Sequence, residues 1–390
     1  MRLERIPLAA AAAGISTFLN LYTPQAVLPS LAATFGVPLA RTGLTITAPL
    51  LAVALVAPFA GAISDALGRK RLIVGAAAAV TVPTVLVALS PSLEAMLVWR
   101  FAQGLLLPFI FAVTVAYIGE ECEGPAAIRA AGVYSSGAIL GGFSGRFVAG
   151  IAAEFGGWRL GFLAAAVLTG LAAIAVAILL PTERKFRPMS GGARAMLRGW
   201  REHVGNKRLL GTCAVGFAML FSVVATFTFV NFRLTAAPFN LSPAALGSVF
   251  AVYLVGVVTT PLATRLAVTI GRRWTAALAS AVAIAGELCT LLPTLPAVIL
   301  GLALASAGLF VAQALGLSFI GVAVRRARSS AVGLYVSTYY IGGALGGVLP
   351  AGVWHRFGWP GCVALACAMI AGMGIAAVAT FQEAAIPARG

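Results

Sequence analysis

Long apolar runs, separated by short polar or Pro/Gly-punctuated stretches, recur along the whole chain. Cutting at that punctuation leaves twelve segments, at residues 8–34, 42–63, 72–90, 94–118, 130–153, 159–180, 209–232, 244–267, 274–292, 296–320, 331–353 and 360–382. Each approaches the ~20 residues that a helix needs to cross a hydrocarbon layer about 30 Å thick. That layer offers no water to a peptide group, so each run is predicted to be a helix, whose backbone bonds close internally. A transmembrane barrel would alternate apolar and polar positions over strands of about ten residues, which these runs do not do. The expected fold class is an all-α integral membrane protein with twelve transmembrane helices. The first run follows Arg2 and Arg5 but extends to Phe35. That exceeds the apolar core of a cleavable signal, so it reads as a retained helix.

Composition agrees with a bilayer as solvent. Of the 390 residues, 61% are hydrophobic and 10% charged, where a soluble domain carries about 25% charged residues. The net charge of +16 would suit nucleic acid. The basic residues lie in short clusters between apolar runs, however, and such clusters set membrane orientation, so no nucleic-acid partner is expected. With the N-terminus inside, only Arg41, Arg159, Arg233 and Arg356 fall on the outer side, and only Arg100 and Arg146 fall within segments. The remaining Lys and Arg line the inner loops and ends. Both termini are therefore expected in the cytoplasm of a bacterial cell, with the chain in its inner membrane.

The longest polar stretch, 181–208, divides the chain into a six-helix bundle at 1–180, a cytoplasmic linker, and a second six-helix bundle at 209–390. The halves repeat. Gly132, Tyr134, Ser136, Gly141, Gly142, Gly145 and Gly157-Trp158 return 201 residues later as Gly333, Tyr335, Ser337, Gly342, Gly343, Gly346 and Gly358-Trp359.

Three motifs add chemistry. Residues 61–71 contain Gly61, Asp65, Gly68, Arg69, Lys70 and Arg71 between two apolar runs. This resembles G-x-x-x-D-R-x-G-R-[RK], the loop between helices 2 and 3 of the major facilitator superfamily of secondary transporters. Ala66 stands where the family has Arg. Arg100-Phe101-Ala102-Gln103-Gly104 resembles the family's helix-4 signature R-x-x-Q-G. Gly137, Gly141, Gly142, Gly145 and Gly150 resemble the glycine-rich helix 5 of its twelve-helix drug:proton antiporter branch. The resemblance implies two pseudo-symmetric six-helix bundles, a small-molecule substrate near the midplane and rocker-switch alternating access. It also implies a monomer in lipid, with protons as the second partner.

Within that frame Asp65 is expected to latch the cytoplasmic side. Gly61, Gly68, Arg69, Lys70, Glu120, Glu121 and Arg129 surround it, and Gly141, Gly142 and Gly145 lie at the gating seam. Polar residues in apolar helices are costly and mark function. Asn20, Gln25, Arg100, Gln103, Phe227, Asn231 and Gln313 are thus candidate substrate contacts. Arg100, Arg146 and Glu287 are candidates for charge or proton coupling. Each also suits a blander role: a hydrogen bond between helices, a snorkelling Arg146, or an interfacial Glu287. His203 and His355 fall in loops, the five cysteines lack paired ligand spacing, and there is no P-loop lysine. The expectation is a transporter without metal or cofactor, not an enzyme. Proton-coupled export of a small organic solute leads. An organic-anion carrier using Arg100 and Arg146 is the alternative, and a membrane sensor on the same fold is the third reading.

Overall fold

Apolar runs leave the backbone no partner but itself, and helices result. The computed structural model describes residues 2–184, 200–324 and 328–381, and the described residues hold helices and no strands. Residues 185–199, the middle of the expected linker, lie outside them.

Nine described stretches are long and apolar enough to cross a membrane: Glu4–Phe35, Leu39–Leu67, Arg69–Ala88, Leu93–Glu121, Gly124–Leu179, Lys207–Thr235, Pro243–Ile270, Leu295–Ala323 and Ser330–Thr380. Two of them are too long for one crossing. The 56 residues of Gly124–Leu179 would extend roughly 84 Å at 1.5 Å per residue. That helix breaks at Gly156 and Gly157, where Gly157 takes φ +68°. Arg328–Thr380 breaks in the same way at Gly358, with φ +59°. These are left-handed conformations that glycine adopts without a Cβ clash. The 18-residue helix Arg272–Cys289 supplies one more crossing. The twelve crossings are numbered as segments 1–12 in chain order. Segments 5 and 6 are the arms of Gly124–Leu179, segment 9 is Arg272–Cys289, and segments 11 and 12 are the arms of Arg328–Thr380.

The helices overrun the apolar segments expected for them by up to several residues at most ends, and polar caps start some of them. Ser92 accepts from Ala95 N–H before segment 4, and Asn206 from the Arg208 and Leu209 N–H groups before segment 7. Single crossings put the 61–71, 121–129, 181–184, 200–208 and 265–273 stretches on one face, here the basic face.

The repeat in the sequence is a repeat in packing. Segment 5 lays Gly137, Gly141 and Gly145 against Ala11, Ile15 and Leu19 of segment 1. Segment 11 lays Gly342 and Gly346 against Phe217 and Phe221 of segment 7. After each kink a tryptophan anchors the turn: Trp158 Nε1 donates to Thr34 Oγ1 at 3.0 Å, and Trp359 Nε1 to Thr290 Oγ1 at 3.2 Å.

The two groups of six meet through segments 2 and 11, 5 and 8, and 1 and 7. Thr47 Oγ1 donates to Ala344 O at 2.9 Å, and Ser337 Oγ to Ala54 O at 2.9 Å. Segment 5 meets segment 8 at the face opposite the basic loops, where Gly150 faces Pro243 and Gly247. Beside them Ala244 N–H donates to Glu154 Oε1 at 3.1 Å. Farther along segment 8, Val258 and Val268 are exposed, as is Ile128 near the start of segment 5.

Two crossings pass through a 3₁₀ stretch. Segment 1 turns into a 3₁₀ stretch at Thr23–Val27 and segment 8 at Phe250–Leu254. Pro24 explains the first, because it brings no N–H to the α-ladder. Irregular backbone at membrane depth survives only where protein buries it or a cavity faces it.

Candidate functional site

Arg100 is wholly buried on segment 4, and its acceptors are mostly backbone. Nε donates to Thr45 O at 2.8 Å, Nη1 to Asn20 O at 2.7 Å, and Nη2 to Leu21 O at 2.7 Å. Nη1 also reaches Gln103 Oε1 at 2.6 Å. These carbonyls are available for a reason. In an α-helix the Thr45 carbonyl would accept from residue 49 and the Asn20 carbonyl from residue 24. Residues 49 and 24 are both prolines and have no N–H to give. Leu21 lies in the last turn before the 3₁₀ stretch, where orphan carbonyls and the helix dipole favour a cation.

The polar neighbours close a network around it. Gln103 Nε2 donates to Thr84 Oγ1 at 2.7 Å and to Asn20 Oδ1 at 3.3 Å. Thr84 Oγ1 donates to Asn20 Oδ1 at 2.6 Å, and Asn20 Nδ2 to Thr169 Oγ1 at 2.8 Å and Ser16 O at 2.7 Å. Segments 1, 2, 3, 4 and 6 are tied at one point. Arg100, Gln103 and Asn20, expected to face a substrate, instead face one another inside the first six helices.

Arg146 on segment 5 is equally buried but differently satisfied. Nε donates to Gln25 Oε1 at 2.6 Å and Nη1 to Gly142 O, while Nη2 has no partner. Three rings surround the guanidinium, with centres 4.4 Å (Tyr22), 4.5 Å (Tyr253) and 4.6 Å (Phe250) from Cζ. Cations over ring faces are attracted by the ring quadrupole. Gln25 Nε2 continues across to Thr228 Oγ1 of segment 7 at 3.2 Å. Phe227 extends the aromatic wall, its ring 4.5 Å from Tyr253 and 5.7 Å from Phe250. Arg146 does not snorkel. It stands where segments 1, 5, 7 and 8 converge.

The other candidates separate. Asn231 Nδ2 bends back onto Phe227 O of its own helix at 2.6 Å. Gln313 Nε2 donates to Tyr339 Oη at 2.9 Å, near the Tyr340–Phe111 pair rather than to Arg146. Glu287 is buried, not interfacial. Thr226 Oγ1 donates to its Oε1 at 2.5 Å, and its Oε2 has no partner.

At the basic face Arg69 is the hub. Its Nη2 lies 2.7 Å from Glu120 Oε1, and Nε donates to Glu120 Oε2 at 3.1 Å. The same Nη2 is 2.7 Å from Asp65 Oδ1 without the alignment of a hydrogen bond. Arg69 Nη1 also donates to Ser64 Oγ and, at 3.5 Å, to Gly61 O. Asp65 thus pairs with Arg69, four residues on, and not with Arg129, which is exposed. Gly68 takes φ +88° to start segment 3, and Lys70 N–H donates to Glu183 Oε2 at 3.4 Å. Glu121 accepts from Arg184 N–H at 2.6 Å. Among the described residues this cluster joins segments 2, 3, 4 and 6.

The glycines divide differently from the single gating seam expected of them. Gly141 and Gly145 pack on segment 1, within the first six helices, because the segment 1–5 seam lies there. Gly142 faces Arg146, and Gly150 faces segment 8. Tyr22, Thr228, Phe250 and Tyr253 are not among the candidates the sequence offers. Tyr22 stands two residues before Pro24, a helix-breaking signal that points to it. The 3₁₀ stretch at Phe250–Leu254 contains no proline to announce it.

The sequence profile of the Major Facilitator Superfamily matches residues 10–237. The chain is 33% identical to the inner membrane transport protein YnfM of Escherichia coli K12 over 368 residues, covering 94% of this chain and 88% of that protein. It is 30% identical to the uncharacterized MFS-type transporter YybF of Bacillus subtilis 168, with 94% and 91% covered. The fold is similar to the human organic anion transporter MFSD10 (TETRAN), at TM-score 0.73 and 19% identity, covering 97% of this chain and all of that one. It is also similar to a bacterial homolog of the human lysosomal transporter Spinster, at TM-score 0.73 and 17% identity, with 97% and 94% covered.

Proposed function

The chain belongs to the Major Facilitator Superfamily, and from that premise we propose that it exports a small organic solute by alternating access coupled to protons. Residues 1–180 and 209–390 act as two bodies that rock about the site between them. One observation carries the reading: the junction of segments 5 and 8 is tight at Gly150, Pro243 and Glu154, away from the basic loops. A junction of segments 5 and 8 that is tight at that end suits a carrier caught facing the basic side. The basic loops support a cytoplasmic position for that side, since Lys and Arg are retained there. A single cysteine at residue 191, in an otherwise cysteine-free chain, should react with a membrane-impermeant maleimide only after cells are opened. Labelling in intact cells would invert the orientation.

Glu287 is the proton-carrying candidate. Its free oxygen and the Thr226 hydroxyl give a carboxyl an exchange position inside segments 7 and 9. An intramembrane carboxyl without a basic partner is a functional site by default. Counterflow of radiolabelled solutes in proteoliposomes tests carriage. In an imposed pH gradient, Glu287→Gln should keep counterflow but lose about tenfold in gradient-driven uptake. Gradient-driven uptake equal to wild type would take Glu287 out of the coupling.

A further inference from the structure

We propose that Arg146, with Gln25 and the rings of Tyr22, Phe250 and Tyr253, is the subsite that receives the carboxylate of an organic anion with an apolar, aromatic body. This rests on the transport reading and names its substrate class.

Three independent features converge on one guanidinium. The first is charge. Arg146 is a permanent cation, wholly buried, and its immediate partners are an amide, a backbone carbonyl and three rings. None of these cancels its charge. An uncompensated cation in the membrane interior is costly and persists where an anion is to be met. The second is the free donor. Gln25 holds Nε and Gly142 holds Nη1, which fixes the plane of the fork and leaves Nη2 without a partner. A guanidinium edge matches a carboxylate in geometry as well as charge. Ring faces above and beside that edge would flank an aromatic body.

The third is backbone. Both 3₁₀ breaks end here: Gln25 belongs to Thr23–Val27, with Tyr22 as the residue before it, and Phe250 and Tyr253 belong to Phe250–Leu254. Broken helices are where carriers of this architecture hold substrate. Arg100 makes the contrast. It is as deeply buried, yet three of its four contacts are to backbone carbonyls of its own half. Arg146 lies between halves, with Phe250 and Tyr253 on one side and Gln25 and Tyr22 on the other. An anion bound there would touch segments 1, 5 and 8 together, so its presence would bear directly on whether they part.

The test is binding to the purified full-length protein in detergent, by calorimetry and by ligand-induced shift of the melting curve. The probes are benzoate and hexanoate, each against its neutral amide, benzamide and hexanamide. Wild type should bind benzoate at least tenfold more tightly than benzamide, and more tightly than hexanoate. Arg146→Gln should lose that preference, weakening benzoate about 100-fold, and Arg146→Lys should recover part of it. If Arg146→Gln fails to fold, Gln25→Glu decides, because it places a carboxylate on Nε with nearly unchanged shape. It should raise the melting temperature and abolish benzoate binding. The proposal is overturned if neither carboxylate outbinds its amide, or if Gln25→Glu binds benzoate like wild type. Absence of the preference in wild type alongside intact counterflow of other solutes would remove the subsite and leave the carrier. Benzoate binding without counterflow of any solute would do the reverse.

Discussion

Arg100→Ala is expected to lower folding stability by about 3–5 kcal/mol, the range for stripping one partner from a buried charged network. The reason lies in what remains. The carbonyls of Thr45, Asn20 and Leu21 keep their positions and lose their donor. Pro49 and Pro24 ensure that no helical N–H replaces it at Thr45 and Asn20, and a buried unsatisfied acceptor costs about 1–3 kcal/mol. Arg100→Lys should recover roughly half, since an ammonium supplies the charge but not the fork. A double-mutant cycle sharpens the point. In a Pro49→Ala background the backbone N–H gained at position 49 can serve Thr45 O, so the cost of Arg100→Ala should shrink by about 1 kcal/mol. Melting curves in detergent, checked by size exclusion, measure all four proteins. A wild-type melting curve for Arg100→Ala, accompanied by lost transport, would return Arg100 to the substrate.

The twelve helices are legible in the sequence because membrane length and apolarity are local properties. The division into related halves is legible because the repeat is written in glycines, and glycines govern how closely helices approach. The two intramembrane arginines stand out as costly, but their different roles do not. What separates them is backbone. Carbonyls have no letter in the sequence, and two of the three that hold Arg100 are freed by prolines some 50 and 75 residues away. The motif at 61–71 points to Asp65 as the latch, whereas the geometry makes Arg69 the shared partner of Asp65 and Glu120. Glu120 comes from a different helix, and nothing in the spacing of the motif shows that it arrives there. The Arg146 cage draws on Tyr22, Phe250 and Tyr253, residues ordinary in any apolar run, brought together only by the meeting of segments 1, 5 and 8.

Gly141→Val is expected to abolish the folded protein, and Gly141→Ala to cost about 2–3 kcal/mol, the upper part of the range for overpacking a close contact. A Cβ built on Gly141 would lie 2.5 Å from Ile15 O, and one on Gly145 2.5 Å from Leu19 O. Both obstacles are backbone, so no rotamer change relieves them, and segment 1 must move as a body. That movement would loosen the whole 137/141/145 ladder. It would also pull the Asn20 and Leu21 carbonyls from Arg100, because they ride on the same helix. Gly132→Ala is the control on the same segment, since a Cβ there meets nothing within 4 Å; it should melt like wild type or slightly higher. Gly342→Ala is the matched experiment in the second half, where the Cβ would press on the backbone of Phe217. Its loss should be smaller than that of Gly141→Ala, because among the described residues no buried arginine is tied to the carbonyls of segment 7 as Arg100 is to those of segment 1. Equal losses would show that the seams alone set the cost. Wild-type melting of Gly141→Ala would mean that the segment 1–5 approach is looser than 2.5 Å implies, and the anchoring of Arg100 to segment 1 would need the same revision.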